Sequence, residues 1–421
     1  MIQSPSRYRW LLLAGVWFLY AAFGLVVTSL APLVQLIEED LQLSHMAMGS
    51  TMGAWQLVYI VSAIPCGMLL DKLGPRVALT IGGLLMGASV FARGNADTFT
   101  ELLVAVMLFG IGGPIISAGA PKVVTEWFQG SSRGLAMGIY MTGPAIGGMV
   151  SLTMTHSVLL PVLNDSWRDV MSIWAGVCVI CSLIWLAISS YPRQASKNEE
   201  VSAAGSLPQT QVLRQLIKEP AVLLVLAMSV GVFLFNHGLN NWLPELLHNG
   251  GMTLVEAGYW AAIPTVIGLA GSLIIPRLAT PGRRFNILIA LSLCAAGASL
   301  LLQIQSEPFR LSGLLLQGIA RSSLMTVLVL TLIELPGIGE KTVGVATGLF
   351  FSAAEVGGVI GPVSLGLLYD FTGSFSYGLY MLSGIAIALA FGAQKLKRLT
   401  SLAVSTAAID QHDSHNKPEK E

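Results

Sequence analysis

Apolar residues collect in long unbroken runs along the whole chain, separated by short polar breaks. Twelve such runs lie at roughly 11–36, 47–69, 77–94, 100–124, 134–158, 170–190, 221–247, 254–275, 285–304, 309–334, 342–368 and 376–394. As a helix, each spans a hydrocarbon core about 30 Å thick. The runs are continuous rather than ten-residue alternations, which argues for helices over a closed β-barrel. The first is too long for a secretory signal, and no small-residue cleavage site closes it, so it reads as a retained helix. One long polar break, 191–219, holds Pro192, Lys197, Glu199, Glu200, Gly205 and Pro208. The expected organisation is a six-helix bundle over 1–190, a linker over 191–219 with a short amphipathic helix at 210–218, and a second six-helix bundle over 220–396. A polar tail, 397–421, is expected to be disordered. The fold class is thus an all-α membrane protein with twelve transmembrane helices in two pseudo-symmetric bundles.

Composition sharpens this picture. The 421 residues are 54% hydrophobic and 11% charged, against about 25% charged in a soluble domain. The net charge is zero but unevenly placed. An even number of crossings puts both termini on one side, together with Arg7, Arg9, Lys72, Arg76, Arg133, Arg193, Arg214, Arg277, Arg283, Arg284 and the tail lysines. The other side receives only Arg93, Arg168 and Arg310. The positive-inside rule therefore predicts that both termini of this multi-pass protein are cytoplasmic. Cys66, Cys178, Cys181 and Cys294 fall inside predicted helices and have no metal-site spacing. Gly110-Ile111-Gly112-Gly113 lacks the lysine of a phosphate loop, so it reads as helix packing. No nucleophile triad, metal-ligand array or cofactor motif stands out. Neither an enzyme, a nucleic-acid binder nor an ATP-driven pump is expected; catalytic residues, metal and cofactor are all expected to be absent.

The halves are duplicates. Gly134, Gly138, Gly147 and Gly148 recur 210 positions later as Gly344, Gly348, Gly357 and Gly358. Phe109-Gly110-Ile111 with Glu126 answers Gln317-Gly318-Ile319 with Glu334, and Pro32 answers Pro244. Matching order implies a parallel repeat about an axis along the membrane normal. The copies differ at one telling place: Ala145 in the first corresponds to Glu355 in the second.

The break between the second and third runs reads Gly67-Met68-Leu69-Leu70-Asp71-Lys72-Leu73-Gly74-Pro75-Arg76. It closely resembles the loop signature of the major facilitator superfamily, Gly-x-x-x-Asp-x-x-Gly-x-Arg. Trp127-Phe128 with Arg133-Gly134, Trp167-Arg168, and Asp370-Phe371-Thr372-Gly373 also look like that superfamily. The resemblance implies two bundles that alternate access, acting as a monomer. It also implies an inner gate in which Asp71 faces the start of helix eleven, with Gly67, Gly74, Arg76 and Arg133 as further gating residues. Lys122 or Glu126 are candidates to complete that network. The corresponding loop of the second half, Pro276 to Arg284, keeps glycine and arginine but lacks the aspartate, which puts a second latch in doubt. Within the superfamily the chain is most similar to bacterial permeases for small anions and organic acids, of the cyanate-permease and oxalate/formate types.

Two charges sit deep in apolar runs, and such charges nearly always face a cavity or a partner. Arg321 lies about twelve residues into the tenth run, or about 18 Å at the helical rise, and Glu355 lies at similar depth in the eleventh. Three assignments fit: Arg321 binds an anion while Glu355 carries a coupling proton; the two form a structural ion pair; or Glu355 binds a cation. The seventh run carries Asn236, His237, Asn240 and Asn241, a polar cluster suited either to binding solute or to interhelical hydrogen bonding. Tyr20 and Tyr59 are further candidates to bind substrate, and Gln56, Thr142 and Ser352 are also placed to line a cavity. Gly143-Pro144 with Gly147-Gly148 resembles part of a drug/proton antiporter signature, although packing and a hinge explain the run as well. The expectation is a secondary transporter with a small polar solute, protons and the lipid bilayer as its partners. A proton-coupled anion symporter comes first, with a multidrug or organic-cation/proton antiporter as the alternative.

Overall fold

The computed structural model describes residues 5–190, 209–335, 338 and 342–415. Among the described residues there is no strand; helices account for nearly all of the chain. The first half contains α1 (Pro5–Thr28), then a short helix Val34–Leu41, then a helical stretch His45–Gly94. Gly74, at φ 74° and ψ 163°, breaks that stretch into α2 (45–73) and α3 (75–94). A side chain is disfavoured at that positive φ, and Pro75 directly after it suits a helix start. Next come α4 (Phe99–Trp127), α5 (Ser131–Met154, continued through a π-helical turn Thr155–Leu159) and α6 (Trp167–Ile188). The second half contains α7 (Pro220–Asn249), α8 (Leu254–Leu278), α9 (Arg284–Leu301), α10 (Glu307–Ile333), α11 (Val343–Thr372) and α12 (Ser376–His415). These are eleven apolar helices of spanning length, one of them folded back at Gly74 to make the twelfth crossing.

Two boundaries differ from the sequence reading. The short helix in the linker is Gln209–Leu216, while residues 191–208 of that linker lie outside the described residues. The tail assigned as disordered from 397 is helical to His415, and 416–421 lie outside the described residues. The run Lys395-Leu396-Lys397-Arg398-Leu399 has high helix propensity, which lets α12 extend past its apolar segment.

The duplication is visible as packing. In the first half α5 lies against α1 so closely that a Cβ on Gly147 would stand 1.8 Å from the Ala21 carbonyl oxygen. In the second half α11 lies against α7, where a Cβ on Gly357 would stand 2.0 Å from the Val230 carbonyl oxygen. Gly143 and Gly361 repeat this one turn away, at 3.0 Å from Trp17 O and 2.5 Å from Leu234 O. Small residues let the backbones of membrane helices approach. The glycine–proline run of α5 thus packs two helices of one bundle together.

Among the described residues, the closest backbone approaches between the halves lie at one end. At the end opposite the termini, here the distal end, α2 of the first half packs on α11 of the second. A Cβ on Gly49 would lie 2.4 Å from Pro362 O, one on Gly53 3.0 Å from Val359 O, and one on Gly366 2.2 Å from His45 O. There α5 also meets α8, with Gly258 against Leu152 O at 2.4 Å. At 3.6 residues per turn, Gly67 and Asp71 continue the α2 face that Gly49 and Gly53 begin. Gly344 and Gly348 likewise share the α11 face of Pro362 and Gly366. Yet nothing lies within 4 Å of the Cβ positions of Gly67, Gly344 or Gly348. The two antiparallel helices therefore form a V, closed at the distal end and open at the end bearing the termini.

Gly147→Val and Gly357→Val are expected to destabilise by at least about 1–3 kcal/mol, since backbone must move to admit the side chain. Gly348→Ala should change stability by less than about 0.5 kcal/mol. Thermal unfolding of the purified variants, followed by retention on size exclusion, checks this contrast.

Candidate functional site: a polar cluster between the bundles

The distal seal is built first. Helix α2 begins at His45, and its leading N–H groups lack intrahelical acceptors. Ser44 Oγ accepts from Ala47 N at 3.2 Å. Asp370, at the far end of α11, supplies the rest: its two carboxylate oxygens accept from His45 N at 3.0 Å and Met46 N at 2.9 Å. A carboxylate from one half thus caps a helix of the other, where the helix dipole favours negative charge. The His45 ring lies between Tyr369 of α11, centroids 3.9 Å apart, and Trp242 of α7, 5.1 Å apart, nearly parallel to both. His45 Nδ1 stands 3.2 Å from Glu38 Oε2, and Trp242 Nε1 donates to Pro362 O at 2.9 Å.

The other end shows the reverse. Asp71 is 75% exposed and bonds Lys122 Nζ of α4, 2.5 Å away, rather than α11. Arg76 donates to Ser190 Oγ at 2.8 Å, which ties the α2–α3 turn to the end of α6. Arg133 is exposed at the start of α5. Of the residues that the sequence pattern marks as gating, Asp71 and Lys122 are together, while Arg76 and Arg133 point to other neighbours or to open space.

Between the ends, polar side chains converge where the V closes. Tyr59 of α2 shares a hydrogen bond with Ser117 Oγ of α4 at 2.8 Å. Tyr20 of α1 packs its ring 5.4 Å from that of Tyr140. From the second half, Asn240 Oδ1 accepts from Gln317 Nε2 of α10 at 3.3 Å. His237 Nδ1 lies 3.3 Å from Gln56 Nε2 of α2, a contact that joins the halves. Arg321 of α10 donates from Nη1 to Thr265 Oγ1 of α8 at 3.3 Å, its one hydrogen bond among the described residues. It forms no ion pair with Glu355; the ion pairs among the described residues lie elsewhere. The structural-pair assignment therefore does not describe this conformation. Arg321 lies within electrostatic reach of the His237 ring.

The cluster is rich in acceptors without donors. Glu355 Oε2, Gln56 Oε1, Asn236 Oδ1 and Gln317 Oε1 are all sealed from solvent and lack hydrogen-bond partners. Leaving such a group unsatisfied costs on the order of 1–3 kcal/mol. Four in one zone are most simply explained by a ligand or proton that completes them. Of the other candidates, Thr142 is engaged by Trp17 Nε1 at 2.9 Å and Ser352 is exposed. The sequence reading did not assign Gln317, His45 or Glu38 to any site, and it gave Asp370 no role. Only the family-like Asp370-Phe371-Thr372-Gly373 run marked the last, because capping partners from distant helices leave no local pattern.

A model of the Major Facilitator Superfamily matches residues 16–362. The chain belongs to that superfamily. It is 27% identical to a quinolone resistance transporter of Acinetobacter baumannii, over 84% of this chain and 85% of the relative. It is 23% identical to the hexuronate transporter of Bacillus subtilis (strain 168), over 83% and 86% of the two chains. Other matched relatives are named as probable galactarate/D-glucarate transporters. Among solved structures, the fold is shared with a bacterial homologue of the human lysosomal transporter Spinster in an inward-facing, unoccupied conformation. The TM-score is 0.70 at 18% identity, covering 95% of this chain and 96% of the other. Family and fold are those of multi-pass membrane transporters of small molecules.

Asp370→Asn removes the charge but keeps an acceptor at the α2 N-terminus, so about 0.3–1 kcal/mol of distal closure should be lost, more if the site is partly buried. Spin-label distances between the distal ends of α2 and α11 should show an increased population of the separated arrangement. An unchanged distribution would remove Asp370 from the seal.

Proposed function

We propose that the chain is a proton-coupled symporter that imports a sugar acid, an aldarate or a hexuronate, across the bacterial inner membrane. The observation that carries this is Arg321: a guanidinium deep in the bundle that, among the described residues, has one weak hydrogen bond and no counter-ion. Guanidinium presents a planar fork matched to a carboxylate, and an intramembrane charge without a partner implies one supplied by the solute. Around it, the free acceptors on Asn236 and Gln317 suit the hydroxyl donors of a polyhydroxy acid, and Tyr20, Tyr59, His237 and Asn240 supply further wall. Glu355 is the proton carrier, because a largely buried carboxyl with one oxygen lacking a donor changes charge more readily than an arginine does. The sugar-acid names among the relatives agree with this class.

The orientation follows from the distal cations. Arg93 is buried and bonds Val26 O and Ser29 Oγ; Arg310 bonds Gly250 O; Arg168 pairs with Asp40 and Asp97. All three are consumed in structural contacts, which leaves the uncommitted positive charge at the end bearing the termini. That end is cytoplasmic by the positive-inside rule, so the conformation seen is open to the cytoplasm, and Asp71 awaits the start of α11 in the opposite state. The transporter acts as a monomer.

A second reading, export of an organic cation or drug, is favoured by the quinolone resistance relative. Uptake into proteoliposomes separates the two. Radiolabelled D-glucarate or D-galacturonate should accumulate under an inward proton gradient, and Arg321→Ala should abolish both uptake and the thermal stabilisation by ligand. That stabilisation is about 2.7 kcal/mol at a hundred times the dissociation constant. Stabilisation by lipophilic cations that survives Arg321→Ala and is lost in Glu355→Gln would replace the sugar-acid reading with the exporter.

A further inference from the structure

Gln56 is fully buried at the vertex of the V, on the α2 face turned toward the second half. Its amide nitrogen is 3.3 Å from His237 Nδ1 of α7 and 3.5 Å from the carbonyl oxygen of Gly358 of α11. A Cβ on Gly358 would lie 3.1 Å from Glu355 Oε2 and 3.3 Å from Gln56 Nε2. The bare Gly358 therefore leaves room for Glu355 and Gln56 to come together. Both the facing carboxyl oxygen of Glu355 and the amide oxygen of Gln56 lack a donor. His237 is half-buried, and its Nε2 has no hydrogen-bond partner among the described residues.

A primary amide has a donor end and an acceptor end, and a neutral imidazole has one of each. Three groups in a row, carboxyl, amide and imidazole, then have two self-consistent arrangements. With a proton on Glu355, its O–H donates to the Gln56 carbonyl, the Gln56 N–H donates to His237 Nδ1, and the ring carries its hydrogen on Nε2. Without that proton, the amide turns end for end. Its N–H donates to the carboxylate, its carbonyl accepts from Nδ1–H, and Nε2 presents a lone pair. Passing from the second arrangement to the first takes one proton from water onto Glu355. The ring hydrogen moves from Nδ1 to Nε2 by exchange with cavity water, so one proton is gained overall.

We propose that Gln56 is a positioning residue for coupling, which converts the protonation state of Glu355 into the tautomer of His237 and so switches the group that His237 offers the solute. When Glu355 is loaded, Nε2–H is a donor beside Arg321 and a carboxylate solute is held; when it is empty, the Nε2 lone pair opposes the carboxylate. Proton and anion then bind together and leave together. The solute part rests on the sugar-acid reading, whereas the tautomer switch does not. The other titratable groups facing the chain are Tyr59 of α2, within electrostatic reach of Glu355 and bonded to Ser117, and Arg321 of α10, within reach of His237 and bonded to Thr265. Trp55 and Phe233 pack against the imidazole ring, with centroids 6.1 and 5.4 Å away.

The test is the ¹⁵N spectrum of histidine-labelled full-length protein in lipid nanodiscs without solute, with His237 assigned by its loss in His237→Asn. Between about pH 5 and pH 9, the range in which histidine and perturbed carboxyls titrate, the wild type should pass from Nε2–H to Nδ1–H in a single transition. Gln56→Met and Glu355→Met preserve length and remove the hydrogen-bonding groups; each should abolish the pH dependence of the tautomer. A wild-type ring that keeps one tautomer throughout, or that titrates to the imidazolium instead, overturns the proposal. So does a switch that survives in either methionine variant. Because no solute is present, failure of sugar-acid uptake would sink the substrate assignment and leave this result intact.

Discussion

The antiparallel contact between α2 and α11 is the constraint on which the rest of the molecule depends. Each of these helices belongs to a different half, and each carries small residues along the face that meets the other. Backbone-to-backbone approach at Gly49, Gly53 and Gly366 leaves no room for water at the distal end, and Asp370 satisfies the α2 N–H groups that a helix start would otherwise leave bare. The same two faces, followed toward the termini, hold Gly67, Gly344 and Gly348 with open space beside them, and Asp71 paired within its own half to Lys122. A pair of stiff helices that touches at one end must separate at the other. Closure of one end and opening of the other are thus a single geometric event.

That geometry also explains where the chemistry sits. The vertex of the V is the one depth at which both halves remain within hydrogen-bond reach while the space below widens. Gln56, His237 and Glu355 occupy it, one each on α2, α7 and α11. In the proposed coupling, a change in protonation there would act on the joint between the halves, where a small displacement is amplified along two long helices. At either end the carboxylates are of another kind: Asp71 is exposed and paired with a lysine, an arrangement worth about 0–1 kcal/mol, so it is weak enough to be exchanged during a cycle.

The duplication gives the two halves similar packing and different chemistry. Gly147 of α5 against α1 and Gly357 of α11 against α7 hold corresponding helix pairs together, and neither can be enlarged without moving backbone. The polar residues did not follow that symmetry. Glu355 stands where the first half has Ala145, and Arg321 and His237 are confined to the second half. The first half supplies Tyr20, Tyr59 and Gln56. A scaffold built from two like parts is thus loaded asymmetrically, with charge in one half and neutral hydrogen-bonding groups in the other.

Much of this was legible in the residues. Runs of apolar side chains require helices because backbone polar groups in lipid must be satisfied internally. Hence the number of crossings, the division into halves, the charge bias at the ends and the anomaly of Glu355 follow from the sequence. The repeated glycines marked close helix contacts, and the loop around Asp71 marked the family. Which glycine meets which backbone was not legible, nor that Arg321 and Glu355 stand unpaired, nor that Gln56 reaches His237 across 181 positions. Those facts arise where helices from separate halves approach, and such an approach is set by the summed packing of many side chains rather than by any local spacing. The sequence by itself determined that this chain crosses a membrane twelve times and carries two charges there. Only the tertiary structure decided which end is closed and which groups the charges face, because those contacts are made between helices far apart in the chain and belong to the conformation.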